Sequence, residues 1–117
     1  RPTMIFKICS KAIWENAVQQ GVFAGAGIDL QDGYIHFSTS KQMRETAARH
    51  FAGQSNLLLI AVDETTLGDD LKWEVSRGGD LFPHLYNELQ VADVNGVYPL
   101  TLNEQGVHEF PDLSDAN

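Results

Sequence analysis

Residues 56–62 read Asn-Leu-Leu-Leu-Ile-Ala-Val, the most continuous apolar run in the chain. A short run of this kind, without alternation of polar and apolar residues, is typical of a strand buried on both faces. We therefore predict that these residues form a central strand of a sheet.

The segment before this run begins with a predicted strand and helix. Residues 4–9, Met-Ile-Phe-Lys-Ile-Cys, are strand-like and place Lys7 on the opposite face from Phe6. Ser10 is a suitable N-cap for a helix over residues 11–20, and Gly21 is the expected end of that helix.

A second strand and helix are predicted between residue 34 and residue 51. Residues 34–38 alternate, which places Tyr34, His36 and Ser38 on one face. Thr39 and Gln42 have the spacing of a capping box, so they open a helix that runs to about residue 51. The glycine-rich residues 21–33 lack a dinucleotide-binding fingerprint and are predicted to be a flexible connection.

The residues after the central run predict mainly strands. Residues 71–75 alternate, residues 76–80 form a loop, and residues 81–86 are extended, with Pro83 excluding a central position in a sheet. Residues 91–100 are strand-like and are interrupted by Asn95-Gly96, a hairpin signal. Two early helices followed by strands predict an α+β fold with mixed or antiparallel sheets.

The size of the chain fits one domain over residues 1–117, with a core at about 4–102 and a polar tail at 103–117 that frays. Cys9, the one cysteine, cannot form an internal disulfide and is predicted to be buried in its strand. Since nothing indicates an oxidising compartment, we expect a cytoplasmic protein.

Acidic residues outnumber basic ones. Lys and Arg total 8, Asp and Glu total 16, and the formal net charge is −8. This balance disfavours nucleic acids and anionic membranes as partners, because both are bound through clustered Lys and Arg. A small anionic ligand remains compatible with this charge, because one Arg and a few N–H groups can hold it locally. The sequence leaves the oligomeric state open.

The first candidate set of site residues is His36 with Ser38, Thr39 and Ser40. A strand that runs into a helix offers hydroxyl groups and free N–H groups at a helix N-terminus, which favours an anion. The alternative is that the hydroxyl groups only cap the helix and that His36 is a hydrogen-bonded strand residue.

Two further sets follow the central strand. Glu74 beside Trp73 could be desolvated, which would raise its pKa toward that of a general acid or base, and Arg77 could clamp a phosphate. His84 and Tyr86 share a face and could orient a substrate or relay a proton. The alternatives are a surface Glu–Arg pair and an aromatic cluster at the edge of the core. No metal-binding spacing is present, so no metal ligands are predicted.

Three motifs, read in order, resemble a known bacterial family. Residues 32–39 (Asp-Gly-Tyr-Ile-His-Phe-Ser-Thr) with Gln42, residues 71–74 (Leu-Lys-Trp-Glu) and residues 82–86 (Phe-Pro-His-Leu-Tyr) are similar to the domain of unknown function 952. The resemblance spans residues 4–100. It implies a small ADP-ribosylation-like fold, in which split, bent antiparallel sheets have helices alongside.

In that superfamily, transferases bind NAD between the sheets. By position, the resemblance implies that Lys7 grips the nucleotide, that His36 and Ser38 hold the nicotinamide side, and that Glu74 assists transfer. NAD or an ADP-ribose-like molecule is then the implied ligand, and ADP-ribosyl transfer, a glycosyl transfer, is the implied reaction if the chain is an enzyme.

Two functions remain open from the sequence. One is a cleft for a nucleotide, an ADP-ribose-like molecule or another phosphate-bearing metabolite, with His36, Glu74 and His84 as catalytic groups. Its binding groups are Lys7, Ser38, Thr39, Ser40, Arg77 and Tyr86. The other is a non-catalytic structural or protein-interaction domain in which the same polar residues form a structural hydrogen-bond network.

Overall fold

The computed structural model describes residues 3–113, apart from the side chain of Arg77. Three α-helices lie in the first half of the chain: α1 (Lys11–Gln20), α2 (Ile28–Asp32) and α3 (Met43–His50). The strands are β1 (Met4–Ser10), β2 (Val22–Phe23), β3 (Ile35–His36), β4 (Leu57–Asp63), β5 (Leu71–Val75), β6 (Leu81–Leu85), β7 (Leu89–Gln90), β8 (Val94–Leu102) and β9 (His108–Glu109). None of the described helices has the length and apolar character needed to cross a bilayer.

The strands form curled antiparallel sheets in the orders β1-β4-β8-β9, β3-β6-β5 and β2-β7. The prediction of an α+β fold with antiparallel sheets is therefore confirmed. The run over residues 56–62 forms β4, which lies between β1 and β8 as predicted.

The central sheet separates two apolar clusters. On one side, Ile5 and Cys9 of β1 pack with Trp14 of α1. On the other side, Phe6 and Ile8 of β1 pack with α3. The predicted alternation of β1 is confirmed, as is the burial of Cys9, and it places Lys7 on the α1 side of the sheet.

The predicted helix signals are confirmed at both long helices. The Ser10 side chain accepts a hydrogen bond from the N–H of Ile13, and Gly21 ends α1 in a left-handed conformation with φ of 79°. Thr39 and Gln42 form the reciprocal capping box, since each backbone N–H donates to the other's side chain at 3.0 and 3.3 Å.

The prediction that residues 21–33 form a flexible connection is wrong. They contain β2, which pairs with β7, and α2, which is short and begins after Gly27 at φ of 56°. The side chain of Asp29 in α2 accepts from the N–H of Ala26 at 3.0 Å. Local hydrogen bonds and strand pairing therefore order a segment whose glycine content suggested mobility.

The prediction for Pro83 is also wrong, because β6 is the middle strand of its sheet. The carbonyl of Pro83 accepts from the N–H of Phe37 at 2.9 Å, but Pro83 has no N–H to return. Pairing with β3 stops there, and the chain crosses to β1, where Ser38 and Phe6 exchange two backbone hydrogen bonds of 2.8 Å. The two sheets part at this crossing.

Two predictions near the end of the chain are wrong. Asn95-Gly96 is not a hairpin: Ala61 pairs with Gly96 and Val62 with Val94, so Asn95 is the extra residue of a β-bulge. Residues 103–109 do not fray, since β9 pairs with β8 and the buried ring of His108 bonds the carbonyl of Gln54 at 2.7 Å. Residues 114–117 of the predicted tail lie outside the described residues.

Candidate functional site

A cavity of about 820 Å³ lies where the two sheets part. Its walls are largely apolar and aromatic, with contributions from β1, β3, β6, α2 and the end of α3. Its polar lining residues include Lys7, Asp29, Asp32, Tyr34, His36, Ser38, Thr46, Arg49, His50 and His84. Four of the predicted site residues, Lys7, His36, Ser38 and His84, are therefore brought to one cavity.

The carboxylate of Asp29 is the most heavily bonded group in this cavity. Its side chain is fully buried and contacts Lys7 Nζ at 2.6 Å and His36 Nδ1 at 2.6 Å. It also accepts from the backbone N–H groups of His36 and Ala26, at 3.1 and 3.0 Å. Burial acts to raise the pKa of Asp29, but the hydrogen bond from His36 and the charge of Lys7 outweigh it, and the pKa is lowered.

His36 lies between two carboxylates. While Nδ1 contacts Asp29, Nε2 contacts Asp32 Oδ2 at 3.0 Å. Asp32 is at the end of α2, four residues before His36, so the helix and the strand after it fix the ring from both sides. Both nitrogens of His36 are thus engaged within the protein.

His84 lies directly opposite His36 in the pairing of β3 with β6, and the two ring centroids are 5.3 Å apart. The His84 residue is 3% exposed, and its Nδ1 bonds Glu74 Oε1 at 2.8 Å. Glu74 lies on β5, next to β6, and the Tyr86 hydroxyl donates to the same oxygen at 2.7 Å. Tyr86, Glu74 and His84 therefore form a continuous hydrogen-bonded chain.

The pKa values of this chain are shifted by its hydrogen bonds. The bonds from Tyr86 and then His84 stabilise the Glu74 carboxylate and lower its pKa. The same bond to Glu74 raises the pKa of Tyr86 to about 12. The prediction that Trp73 raises the pKa of Glu74 is wrong, because neighbouring strand residues face opposite sides of the sheet.

Tyr34 packs against both histidines. Its ring centroid lies 4.6 Å from that of His36, 4.3 Å from that of His84 and 5.0 Å from that of Tyr86. Burial, and then the nearby carboxylates of Asp32 and Glu74, raise the pKa of the Tyr34 phenol. The Tyr34 ring therefore links the two imidazoles on one wall of the cavity.

The anion site predicted at residues 38–40 has little free hydrogen-bonding capacity. The N–H of Ser38 bonds Phe6, and that of Thr39 bonds the side chain of Gln42 at 3.0 Å. The hydroxyl of Ser38 donates to Thr46 at 2.9 Å, since the Thr46 hydroxyl itself donates to the Gln42 carbonyl. Thr39 and Ser40 do not line the cavity.

The remaining predicted residues lie around the cavity. Glu74 and Tyr86 are behind His84 and are not part of the lining. Arg77 lies in a short turn over Arg77–Gly79, next to the lining residue Ser76, and its side chain is outside the described part of the structure. Within residues 3–113 no group of three or more His, Cys, Asp or Glu side chains is arranged to hold a metal ion.

Six of the polar lining residues named above are missing from the sequence prediction: Asp29, Asp32, Tyr34, Thr46, Arg49 and His50. The first three lie in or just after residues 21–33, which are predicted to be a flexible connection. The available signal was the spacing, because Asp29 and Asp32 are separated by about one helical turn and His36 follows Asp32 by four residues.

The fold and the site define a curled α+β protein with a histidine-lined cavity where two antiparallel sheets part. Residues 8–97 match the family model described as "Protein of unknown function (DUF952)", and the chain belongs to this family. This confirms the family resemblance seen in the sequence. No curated protein matches the chain.

The chain is similar to solved structures of a protein from Caulobacter crescentus. The crystal structure of protein CC0527 from Caulobacter crescentus is 50% identical in sequence, with a TM-score of 0.89. The match covers 97% of this chain and 96% of that one. The solution NMR structure of CC0527, with the same identity and coverage, has a TM-score of 0.81.

Proposed function

We propose that the cavity binds a small molecule of the nucleotide class, such as an ADP-ribose-like molecule or another phosphate-bearing metabolite. Its volume of about 820 Å³ falls within the usual range of ligand sites, about 300–1,000 Å³. Apolar walls with a few fixed polar groups are the usual composition of such sites. The observation that carries the proposal is the pair of carboxylate-bound histidines, His36 and His84, side by side on one wall.

The proposal includes an ADP-ribosylation-like fold and transferase ancestry. The parting of two antiparallel sheets beside the cavity supports this relationship, as does the position of His36 on the second of the strands that line it. Lys7 lies on the first strand, and its ammonium group contacts Asp29. Lys7 therefore positions Asp29, and through Asp29 the ring of His36. It would contact a ligand only if the ligand displaced Asp29. Glu74 then acts through His84, because it does not line the cavity.

The anionic part of the ligand needs a cation. Arg49 lines the cavity and has a contact of only 4.0 Å with Glu45, while Lys7 is held by Asp29 at 2.6 Å. Arg77 follows the lining residue Ser76 and is the second candidate. Replacing each Arg by Gln separately, with Arg44→Gln on α3 as a control outside the cavity, would show which one weakens phosphate binding.

Amide NMR titration tests the proposed function. We expect NAD, ADP-ribose or AMP to shift resonances of residues 36–38, 74–77 and 84–86, with nicotinamide and inorganic phosphate locating the two ends of the ligand. His36→Ala combined with Glu74→Ala would abolish these shifts. The proposal fails if no compound of this panel shifts these residues at millimolar concentration, or if the double variant binds as the parent does.

A second candidate function, a non-catalytic domain with a structural polar network, is favoured by one observation. The Asp29 carboxylate is fully buried and saturated by groups of the protein itself. On this account, replacing His84 would destabilise the fold by about 2–4 kcal/mol, because its buried partners would lose their hydrogen bonds. A His84→Ala variant that is as stable as the parent but binds AMP more weakly would exclude it.

The remaining proposals concern location and partners. We propose a cytoplasmic protein, supported by a single buried cysteine that forms no disulfide. The net charge of −8 supports the absence of a nucleic-acid partner. Cell fractionation and a filter-binding assay with RNA and DNA would test these two proposals.

A further inference from the structure

The Nε2 atom of His84 has no hydrogen-bond partner among the residues that the structure describes, although the residue is 3% exposed. A buried polar atom without a partner is rare in folded proteins, because its loss of hydration is not compensated. His84 lines the cavity, and its other nitrogen is turned to Glu74. The cavity is therefore where a partner for Nε2 would be located.

We infer that Nε2 of His84 accepts the hydrogen of a ligand hydroxyl group, and that His84 is the general base of this site. The inference rests on the proposed function. It adds that His84 is the reacting group and that the ligand must present a hydroxyl group to it. For a ligand of the nucleotide class, that feature is a ribose hydroxyl.

The tautomer of His84 follows from its contact with Glu74. The lowered pKa of Glu74 keeps the carboxylate ionised, so its Oε1 can only accept a hydrogen bond. The proton of the neutral imidazole is then on Nδ1, and the lone pair is on Nε2. A lone pair at that position accepts a proton, whereas the opposite tautomer would present an N–H donor.

The proton transfer balances within this set of residues. A ligand O–H gives its proton to Nε2, the electron pair of that bond stays on the ligand oxygen, and His84 becomes an imidazolium. The neighbouring Glu74 carboxylate, held by the Tyr86 hydroxyl at 2.7 Å, stabilises the new positive charge. Glu74 and Tyr86 are thus positioning residues.

His36 does not share this role, although it lies opposite His84. Its Nδ1 contacts Asp29 and its Nε2 contacts Asp32. Both nitrogens therefore have partners, and a ligand would have to displace Asp32 before it could reach Nε2. The structure assigns His36 to holding Asp29, Asp32 and the cavity wall in place.

The tautomer can be measured by NMR of the protein with ¹⁵N-labelled histidine. We expect His84 to carry its proton on Nδ1, with Nε2 unprotonated, once the ring is neutral. His108 is an internal control in the same spectrum, because its Nε2 bonds the carbonyl of Gln54 and must carry a proton. In Glu74→Gln the Nδ1–H tautomer of His84 should lose population, and in Glu88→Gln, an exposed control, it should not.

Ligand binding provides the second measurement. We expect the parent protein to bind AMP about 5-fold more tightly than 2′-deoxy-AMP or 3′-deoxy-AMP, and His84→Ala to lose this preference, as expected for one hydrogen bond. An Nε2–H tautomer, or equal binding of AMP and both deoxy analogues by the parent, overturns this inference but leaves the ligand site intact. Failure of every nucleotide to bind overturns the proposed function and this inference together.

Discussion

Asp29 receives four contacts from three parts of the chain: the turn before α2, β3 and β1. Two come from backbone N–H groups and two from the side chains of Lys7 and His36. A buried carboxylate of this kind holds its partners only while it is charged, and its loss leaves an unpaired ammonium group in the interior.

Asp29→Ala should therefore lower the free energy of unfolding by about 3–5 kcal/mol. Asp32→Ala is the matched control: its side chain is 34% exposed and contacts the ring of His36 at 3.0 Å, so the loss should stay below about 1 kcal/mol. Urea denaturation of both variants measures the difference. Equal losses would show that Asp29 is not the anchor of the site.

The lowered pKa of Asp29 also makes stability depend on pH. Because the unfolded chain takes up this proton at a higher pH than the folded one, the stabilisation is fully present above about pH 4 and is lost as the pH falls through the folded pKa. The pH profile of the midpoint for urea unfolding should be flatter in Asp29→Asn than in the parent. A parallel pair of profiles would contradict the lowered pKa.

The ionisation of the Tyr86 phenol can be followed by spectroscopy. The bond of Tyr86 to Glu74 raises the pKa of the phenol to about 12, so Tyr86 should resist ionisation when the protein is titrated by ultraviolet absorbance. In Tyr86→Phe the amplitude of late ionisation should fall by one tyrosine, leaving that of Tyr34, whose pKa is also raised, and the pKa of Glu74 should rise toward its ordinary value. A late amplitude equal to that of the parent would contradict the raised pKa of Tyr86.

At the scale of elements, the loop into α2 determines where Asp29 lies. Gly25 has φ of 119°, and a Cβ there would be 2.8 Å from Cβ of Asp29. Gly27 has φ of 56°, but a Cβ there would meet nothing within 4 Å. A side chain at position 25 would therefore cause both backbone strain and a clash with Asp29, whereas a side chain at position 27 would cause backbone strain alone.

Gly27→Ala should cost about 1–3 kcal/mol of stability from backbone strain alone, because ψ of −118° places Gly27 outside the left-handed α region. Gly25→Ala should cost about 1–3 kcal/mol more than Gly27→Ala, since it adds overpacking against Asp29 to the strain. It should also shift the amide resonance of His36, whose N–H bonds Asp29. Equal losses, with His36 unmoved, would show that Gly25 does not position Asp29.

The elements also show what the sequence could predict. Periodicity and caps were sufficient for β1, α1, α3 and β4, because burial and capping act within a few neighbouring residues. The strand over residues 81–85 is predicted correctly, but its central position in the sheet and the bulge at Asn95 are not, because both depend on the neighbouring strands, which a sequence does not display. The pairing of His36 with His84 was equally hidden, since it depends on which strands are neighbours.

At the scale of the whole molecule, the two apolar clusters share the central sheet, and β9 and the loop after α3 are tied by His108. We therefore predict that residues 1–117 unfold as one domain in a single transition. The buried thiol of Cys9, whose pKa burial raises to about 11, should react with a thiol reagent only as the fold is lost. Thiol reactivity that precedes the change in far-ultraviolet circular dichroism would contradict a single cooperative unit.

The central claim is that the cavity between the sheets is a ligand site in which His84 faces the bound molecule. A crystal structure of the protein with ADP-ribose tests it most directly. We expect the ligand inside the cavity, with one ribose hydroxyl within hydrogen-bond distance of Nε2 of His84 and the Glu74–His84 contact retained. An empty cavity at saturating ligand, or a ligand bound elsewhere on the surface, would contradict it.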